Sequence, residues 1–210
     1  IPIPQDGLLV TRPCARLLLH GKVVRVVGDS LGRRMAATLF DYLEGVFPTI
    51  EDKELLGKGL HDNFSWTAAF PKARTMASFD FVWAARPREL CPVVRQDVDV
   101  LVVALGIHCA TDAQFNARGW PVPVAGRKEL RECVEQLPSA VSCVCRSGRL
   151  TPPLWRTAPF SWSDVNTSAS REVNGLLHRW NRQAHRSIAA HCPRISVVDG
   201  EVLLGQRDTG

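Results

Sequence analysis

The chain has 210 residues, a net charge of +5, 45% hydrophobic residues and 22% charged residues. That length suits one α/β domain with an ample core, the composition excludes a disordered chain, and no apolar run approaches the ~20 residues that span a bilayer. The basic residues are scattered as pairs and singles (Arg33-Arg34, Arg127-Lys128, Arg179 to Arg186), which describes a mildly basic surface and leads us to expect no nucleic-acid partner.

Ile1 to Pro13 reads as an irregular lead-in, and Cys14 to His20 as a short helix or strand ahead of Gly21. Val23, Val24, Val26 and Val27 form a β-branched run with only Arg25 interrupting, as expected of a strand buried on both faces. Gly28-Asp29-Ser30 breaks it, and Met35, Leu39 and Phe40 continue at helical spacing. A serine between strand and helix sits at the carboxyl edge of a parallel sheet, where open α/β folds bind ligands. A helix starting just after Ser30 also favours negative charge there, through its amides and dipole.

Glu51 to His61 is polar and glycine-broken, a loop with room for a short strand. Phe79 to Ala85 has strand composition and Arg86-Pro87 ends it. Asp97 to Leu105 is the second buried strand, closing at Gly106-Ile107-His108-Cys109. Arg127 to Leu137 is an amphipathic helix that Pro138 stops, and Val141 to Cys145 and Pro153 to Thr157 are further strands. Thr167 to His191 carries Val173, Leu176, Leu177, Trp180, Ala184 and Ile188 at three- and four-residue steps, a long helix ended by Cys192-Pro193. Ile195 to Val198 is a last strand before Asp199-Gly200. Strands alternating with helices predict an α/β fold, a three-layer α/β/α sandwich with a mainly parallel, flavodoxin-like sheet.

The seven cysteines leave at least one unpaired within the chain. Read as a strand, Cys143-Val144-Cys145 points its two thiols to opposite faces, against a vicinal bridge or a paired-cysteine metal site. Asn63-Phe64-Ser65 and Asn166-Thr167-Ser168 are glycosylation sequons in loop-like context, and with the cysteines they favour the secretory pathway. Trp120 and Trp162, in proline- and serine-rich loops, are candidates to line a sugar-binding cleft, whereas the other tryptophans are expected in the core.

Gly28-Asp29-Ser30-Leu31-Gly32-Arg33 matches GDSxxR. Phe79 to Pro87, Asp97 to His108, Trp155-Arg156-Thr157-Ala158-Pro159 and Asn181 to Asp199 follow in order. With these segments the chain resembles the GDSL or SGNH hydrolase superfamily, in particular its PC-esterase-like branch, which includes polysaccharide O-acetyltransferases. The resemblance spans about Val23 to Gly210 and implies a single SGNH-hydrolase-like domain. It implies a serine-dependent esterase or acyltransferase acting on O-acyl esters, with O-acetyl carbohydrates as the expected substrates. Neither a metal nor an organic cofactor is implied. The competing expectation is a binding or scaffold protein that keeps the fold and has lost catalysis.

By this resemblance Ser30 is the nucleophile and needs a base within hydrogen-bond reach. Its own amide and a glycine of the second block, Gly57 or Gly59, are the oxyanion donors, and Arg33 is a further one. The third block, Ala104-Leu105-Gly106-Ile107-His108, lacks the family's asparagine. There Gly106 keeps the tight turn and His108 is the candidate for a polar role. The family's base and its orienting acid lie in a D-x-x-H motif near the C-terminus. Asp208 matches the acid, and the histidine would fall just past Gly210, so the chain reads as a fragment truncated before its base.

Overall fold

The valine run forms the central strand of the sheet. In the computed structural model, which describes residues 11–44, 63–70, 75–94, 98–115, 121–147, 151–158 and 168–200, a short helix α1 (Arg12–Leu18) precedes β1 (Val23–Gly28) and α2 (Ser30–Glu44). Then come β2 (Phe64–Phe70), β3 (Thr75–Trp83), a 3-10 turn at Pro87–Glu89 and α3 (Leu90–Val93). β4 (Val100–Ala104) leads to α4 (Ile107–Ala110), β5 (Thr111–Phe115) and β6 (Pro121–Ala125). The chain continues through α5 (Arg127–Cys145), β7 (Leu154–Arg156), α6 (Ser168–His191) and β8 (Ser196–Val198).

The main sheet has the order β2-β3-β1-β4-β7-β8. β3, β1, β4, β7 and β8 run parallel, and β2 adds an antiparallel edge. Alternation along β1 and β4 divides the core into two. Val24, Val26, Val100 and Val102 face α2, with Ala36, Leu39 and Leu43 packed over them. Val27, Leu101, Val103 and Trp155 face the other way, into a larger core closed by α5 and α6. This is the expected three-layer α/β/α sandwich. Arg25, the one charge in β1, is buried against Asp80, its register partner on β3, and donates to the Val93 carbonyl at 3.2 Å.

Several local expectations need correction. Pro138 does not stop a helix: α5 runs through it to Cys145, so Val141 to Cys145 is helical rather than a strand. An interior proline costs about 3 kcal/mol through a lost hydrogen bond and a clash. Here its ring is on the exposed side, while Cys133, Leu137, Ala140, Val141 and Val144 form one buried stripe that continues across it. Cys143 and Cys145 do diverge, but from a helix, to Cys91 and Cys192 respectively. A third bridge joins Cys109 to Cys133, leaving Cys14 free and exposed.

The first sequon is not in a loop, since Phe64 and Ser65 already belong to β2, with exposed Asn63 just before it. The β5–β6 ribbon arises where Pro121 and Pro123 argue for a loop, because a two-stranded ribbon tolerates missing ladder donors. The lead-in ends two residues early, with Pro13 in the first turn of α1, where its missing N–H is harmless. Glu51 to His61, Trp120, Trp162 and Asn166 lie outside the described residues. Among the described residues no helix is long and apolar enough to cross a membrane.

Gly28 ends β1 in register with Ala104, and a Cβ there would lie 1.9 Å from the Ala104 carbonyl oxygen. Gly175 on α6 has open space around it. Gly28→Ala should therefore destabilise by about 3 kcal/mol, whereas Gly175→Ala should stabilise by about 0.5–1 kcal/mol. Urea denaturation of the two variants checks both signs.

Candidate active site

In this strand order the chain leaves β1 and β4 in opposite directions, which opens a crevice between their carboxyl ends. Ser30, exposed, is the first residue of α2 at that edge. The first amides of a helix have no intrahelical partner, so the Ser30 N–H is among the groups left available at that edge, with the helix dipole behind it. Gly32 lets this first turn sit against β4, since a Cβ there would be 2.8 Å from the Ala104 oxygen.

Asp29 ties the edge together. Its side chain is fully buried. One carboxylate oxygen accepts from the Leu31 N–H at 3.0 Å and caps α2. The other accepts from the N–H groups of Gly106 at 2.8 Å and Ile107 at 2.9 Å, across the crevice on the turn after β4. The Asp29 N–H in turn donates to the Ala104 carbonyl at 3.2 Å. Burial pushes this carboxyl above the usual carboxylate range, against the pull of nearby His108 and of the three backbone donors.

Gly106 has φ +152°, and a Cβ would meet Trp180 at 2.5 Å and Ala158 at 2.9 Å. The turn therefore requires glycine, and its N–H is taken up by Asp29. His108 follows, half-buried, its ring edge-on to Trp83 with centroids 5.7 Å apart. Arg33 is only 5% exposed and Arg34 is exposed, so the neighbouring arginines part: Arg33 is no surface residue. Ser30, Arg33, Gly106 and His108 all lie around Asp29, which the sequence marks only as part of Gly28-Asp29-Ser30. Asp208, Gly57 and Gly59 lie outside the described residues.

Arg156 belongs to the Trp155-Arg156-Thr157-Ala158-Pro159 segment. It ends β7 level with Ala104 and Gly28, in the same register row across three strands. Desolvation lowers its pKa, against the attraction of Asp29. The residues after it are pinned. Thr157 Oγ1 donates to Asp199 at 3.2 Å and accepts from the Gly200 N–H at 2.7 Å. The Asn181 side chain brackets Ala158, accepting from its N–H at 3.0 Å and donating to its carbonyl at 2.8 Å. Among the described residues no three His, Cys, Asp or Glu side chains converge as metal ligands.

No family model matches the chain, and no curated protein matches it. Solved structures similar to it include an acetylxylan esterase from Geobacillus stearothermophilus, 12% identical with a TM-score of 0.47, covering 89% of this chain and 80% of that one. An extracellular lipase from Streptomyces rimosus is 12% identical with a TM-score of 0.46, covering 88% and 82%. A phospholipase A1 from Streptomyces albidoflavus is 13% identical with a TM-score of 0.41, covering 84% and 78%. The α/β assignment itself stands on strand order and register.

Asp29→Asn places an NH2 group against one of the N–H donors now held by the carboxylate, and should destabilise by about 1–3 kcal/mol. The folded-state pKa of Asp29 is raised. Its contribution to stability is therefore full below the unfolded pKa and lost as pH rises through the folded one. The gap between wild type and variant should be wider at pH 4 than at pH 7, which denaturant titrations at the two pH values measure; a gap that widens toward neutral pH would contradict this account of the carboxyl.

Proposed function

We propose that the protein is a serine-dependent esterase or acyltransferase of SGNH type, in the PC-esterase-like branch, acting on O-acetyl esters of carbohydrates. The observation that carries the reading is an exposed serine at the first position of a helix, in the crevice between β1 and β4, braced by a buried carboxylate. In the reaction, the Ser30 hydroxyl oxygen bonds to the ester carbonyl carbon while its proton passes to a general base. The tetrahedral intermediate then expels the sugar oxygen, which leaves protonated, and water or another sugar hydroxyl takes the acyl group from Ser30.

The developing oxyanion needs donors. The Ser30 N–H, unpaired as a first-turn amide, and buried Arg33 suit that task, with Gly57 or Gly59 as the further candidates. With its N–H on Asp29, Gly106 serves by shape, and His108 supplies a polar group at the crevice. The acid that orients the base is Asp208 in this reading.

The second reading is a binding or scaffold protein on the same fold, favoured by the absence of an asparagine in the third block and by the commitment of the Gly106 amide to Asp29. The two readings separate on reactivity. A fluorophosphonate should label the protein at Ser30, and Ser30→Ala should abolish the label, as read by mass spectrometry of the tryptic peptide. Labelling that persists in the variant would assign the nucleophile elsewhere; an unlabelled wild type would favour the binding protein. An Arg33→Ala variant that still labels should do so roughly 10²–10³-fold more slowly, the usual effect of losing one oxyanion donor.

A further inference from the structure

A groove of about 580 Å³ runs along α2 from the residue next to Ser30. Leu31, Met35 and Leu39, one turn apart, form its half-buried apolar floor, and Arg34 and Tyr42 line its exposed side. Arg156 closes it at the sheet edge. Leu31 to Tyr42 covers about 16 Å at 1.5 Å per residue, the length of a short oligosaccharide rather than of an acetyl group alone.

The charges in it are unbalanced. No acidic side chain lines the groove among the described residues. Among the described residues Arg34 and Arg156 make no hydrogen bond or ion pair, and the interaction that reaches Arg156 is the attraction of buried Asp29, whose oxygens are already engaged by Leu31, Gly106 and Ile107. A guanidinium presents donors in a planar fork that matches a carboxylate. Arg156 is also preorganised, because Thr157 and Ala158 are fixed by Asp199, Gly200 and Asn181.

We infer that this groove binds an acidic saccharide, with Arg156 and Arg34 receiving sugar carboxylates and the Leu31–Met35–Leu39 row carrying the apolar faces of the rings. The inference deepens the reading of Ser30 as nucleophile and rests on it: the substrate would be an O-acylated, uronate-containing saccharide. Two guanidiniums lining one groove fit a ligand with more than one carboxylate, as a polyuronate has, rather than the single head of an alkyl anion.

The test is calorimetric titration of Ser30→Ala protein with trigalacturonate, with its neutral methyl ester, and with octanoate as an anionic alkyl probe. Trigalacturonate should bind at least tenfold tighter than the ester and tighter than octanoate. Arg156→Ala should erase the preference for the acid, while Arg156→Lys retains part of it. Arg34→Ala, at an exposed position with little bearing on folding, should weaken the acid several-fold. Equal affinity for acid and ester, tighter binding of octanoate, or no binding of trigalacturonate at about 10 mM would each overturn the inference. Fluorophosphonate labelling of the wild type reports on Ser30 independently. Selective binding without labelling removes the esterase reading and keeps the acidic-saccharide groove; labelling without selective binding does the reverse.

Discussion

The architecture of the crevice depends on one buried carboxylate. Asp29 has no exposed surface, and an ionised group in such a place is tolerated only where donors replace its water. Three backbone N–H groups do so, one from the helix that begins at Ser30 and two from the turn after β4. These two segments are far apart in sequence and follow neighbouring strands from which the chain departs in opposite directions, so the carboxylate ties the two sides of the opening together. Gly28 and Gly32 serve the same closeness, because a side chain at either would strike the Ala104 carbonyl. Serine, glycines and aspartate thus form one packing unit, in which the aspartate acts through the backbone it holds.

Behind that edge, three disulfides converge on α5. They join it to α3 through Cys91, to α4 through Cys109 and to the end of α6 through Cys192. A native bridge typically contributes about 2–4 kcal/mol, and these lie in the layer opposite α2. The Cys109–Cys133 bridge has a second consequence, because Cys109 directly follows Gly106, Ile107 and His108. The turn that donates to Asp29 is therefore held from both sides, by the carboxylate in front and by a covalent link to α5 behind. A helix that carries a proline and still anchors three bridges owes its continuity to tertiary packing.

How much of this could be read from the sequence follows from how local each cause is. The valine run of β1, the DVDVLVVAL stretch and the repeat of α6 were readable because burial on both faces, or on one helical face, leaves a continuous pattern. Pro138 misled because the proline rule concerns one hydrogen bond, whereas the stripe from Cys133 to Val144 spans several turns. β2 and the β5–β6 ribbon are edge or two-stranded elements that need no such pattern. At the site, the strand-to-helix position of Ser30 was visible, and an aspartate ahead of a helix is a capping signal in its own right. That the same aspartate reaches Gly106 and Ile107 was not visible, since nothing local to either segment encodes the other.

The arginines show why net charge is a poor guide to such a site. Summed over the chain, +5 describes a mildly basic surface. Yet Arg25 is buried against Asp80, Arg33 is buried beside the crevice and Arg156 is partly desolvated at its rim, so these charges are not part of a solvated coat. Burying a cation is unfavourable unless something compensates. Arg25 has its partner on the neighbouring strand, in register, and its role ends with the fold. Arg156 stands two strands from Ser30, within the field of a carboxylate whose hydrogen-bonding capacity goes to backbone amides. Its partial desolvation is therefore compensated only at long range. With the positive end of α2 added, the carboxyl edge of the sheet gathers two guanidiniums against one buried carboxylate, and that excess sits where folding alone would not have required it.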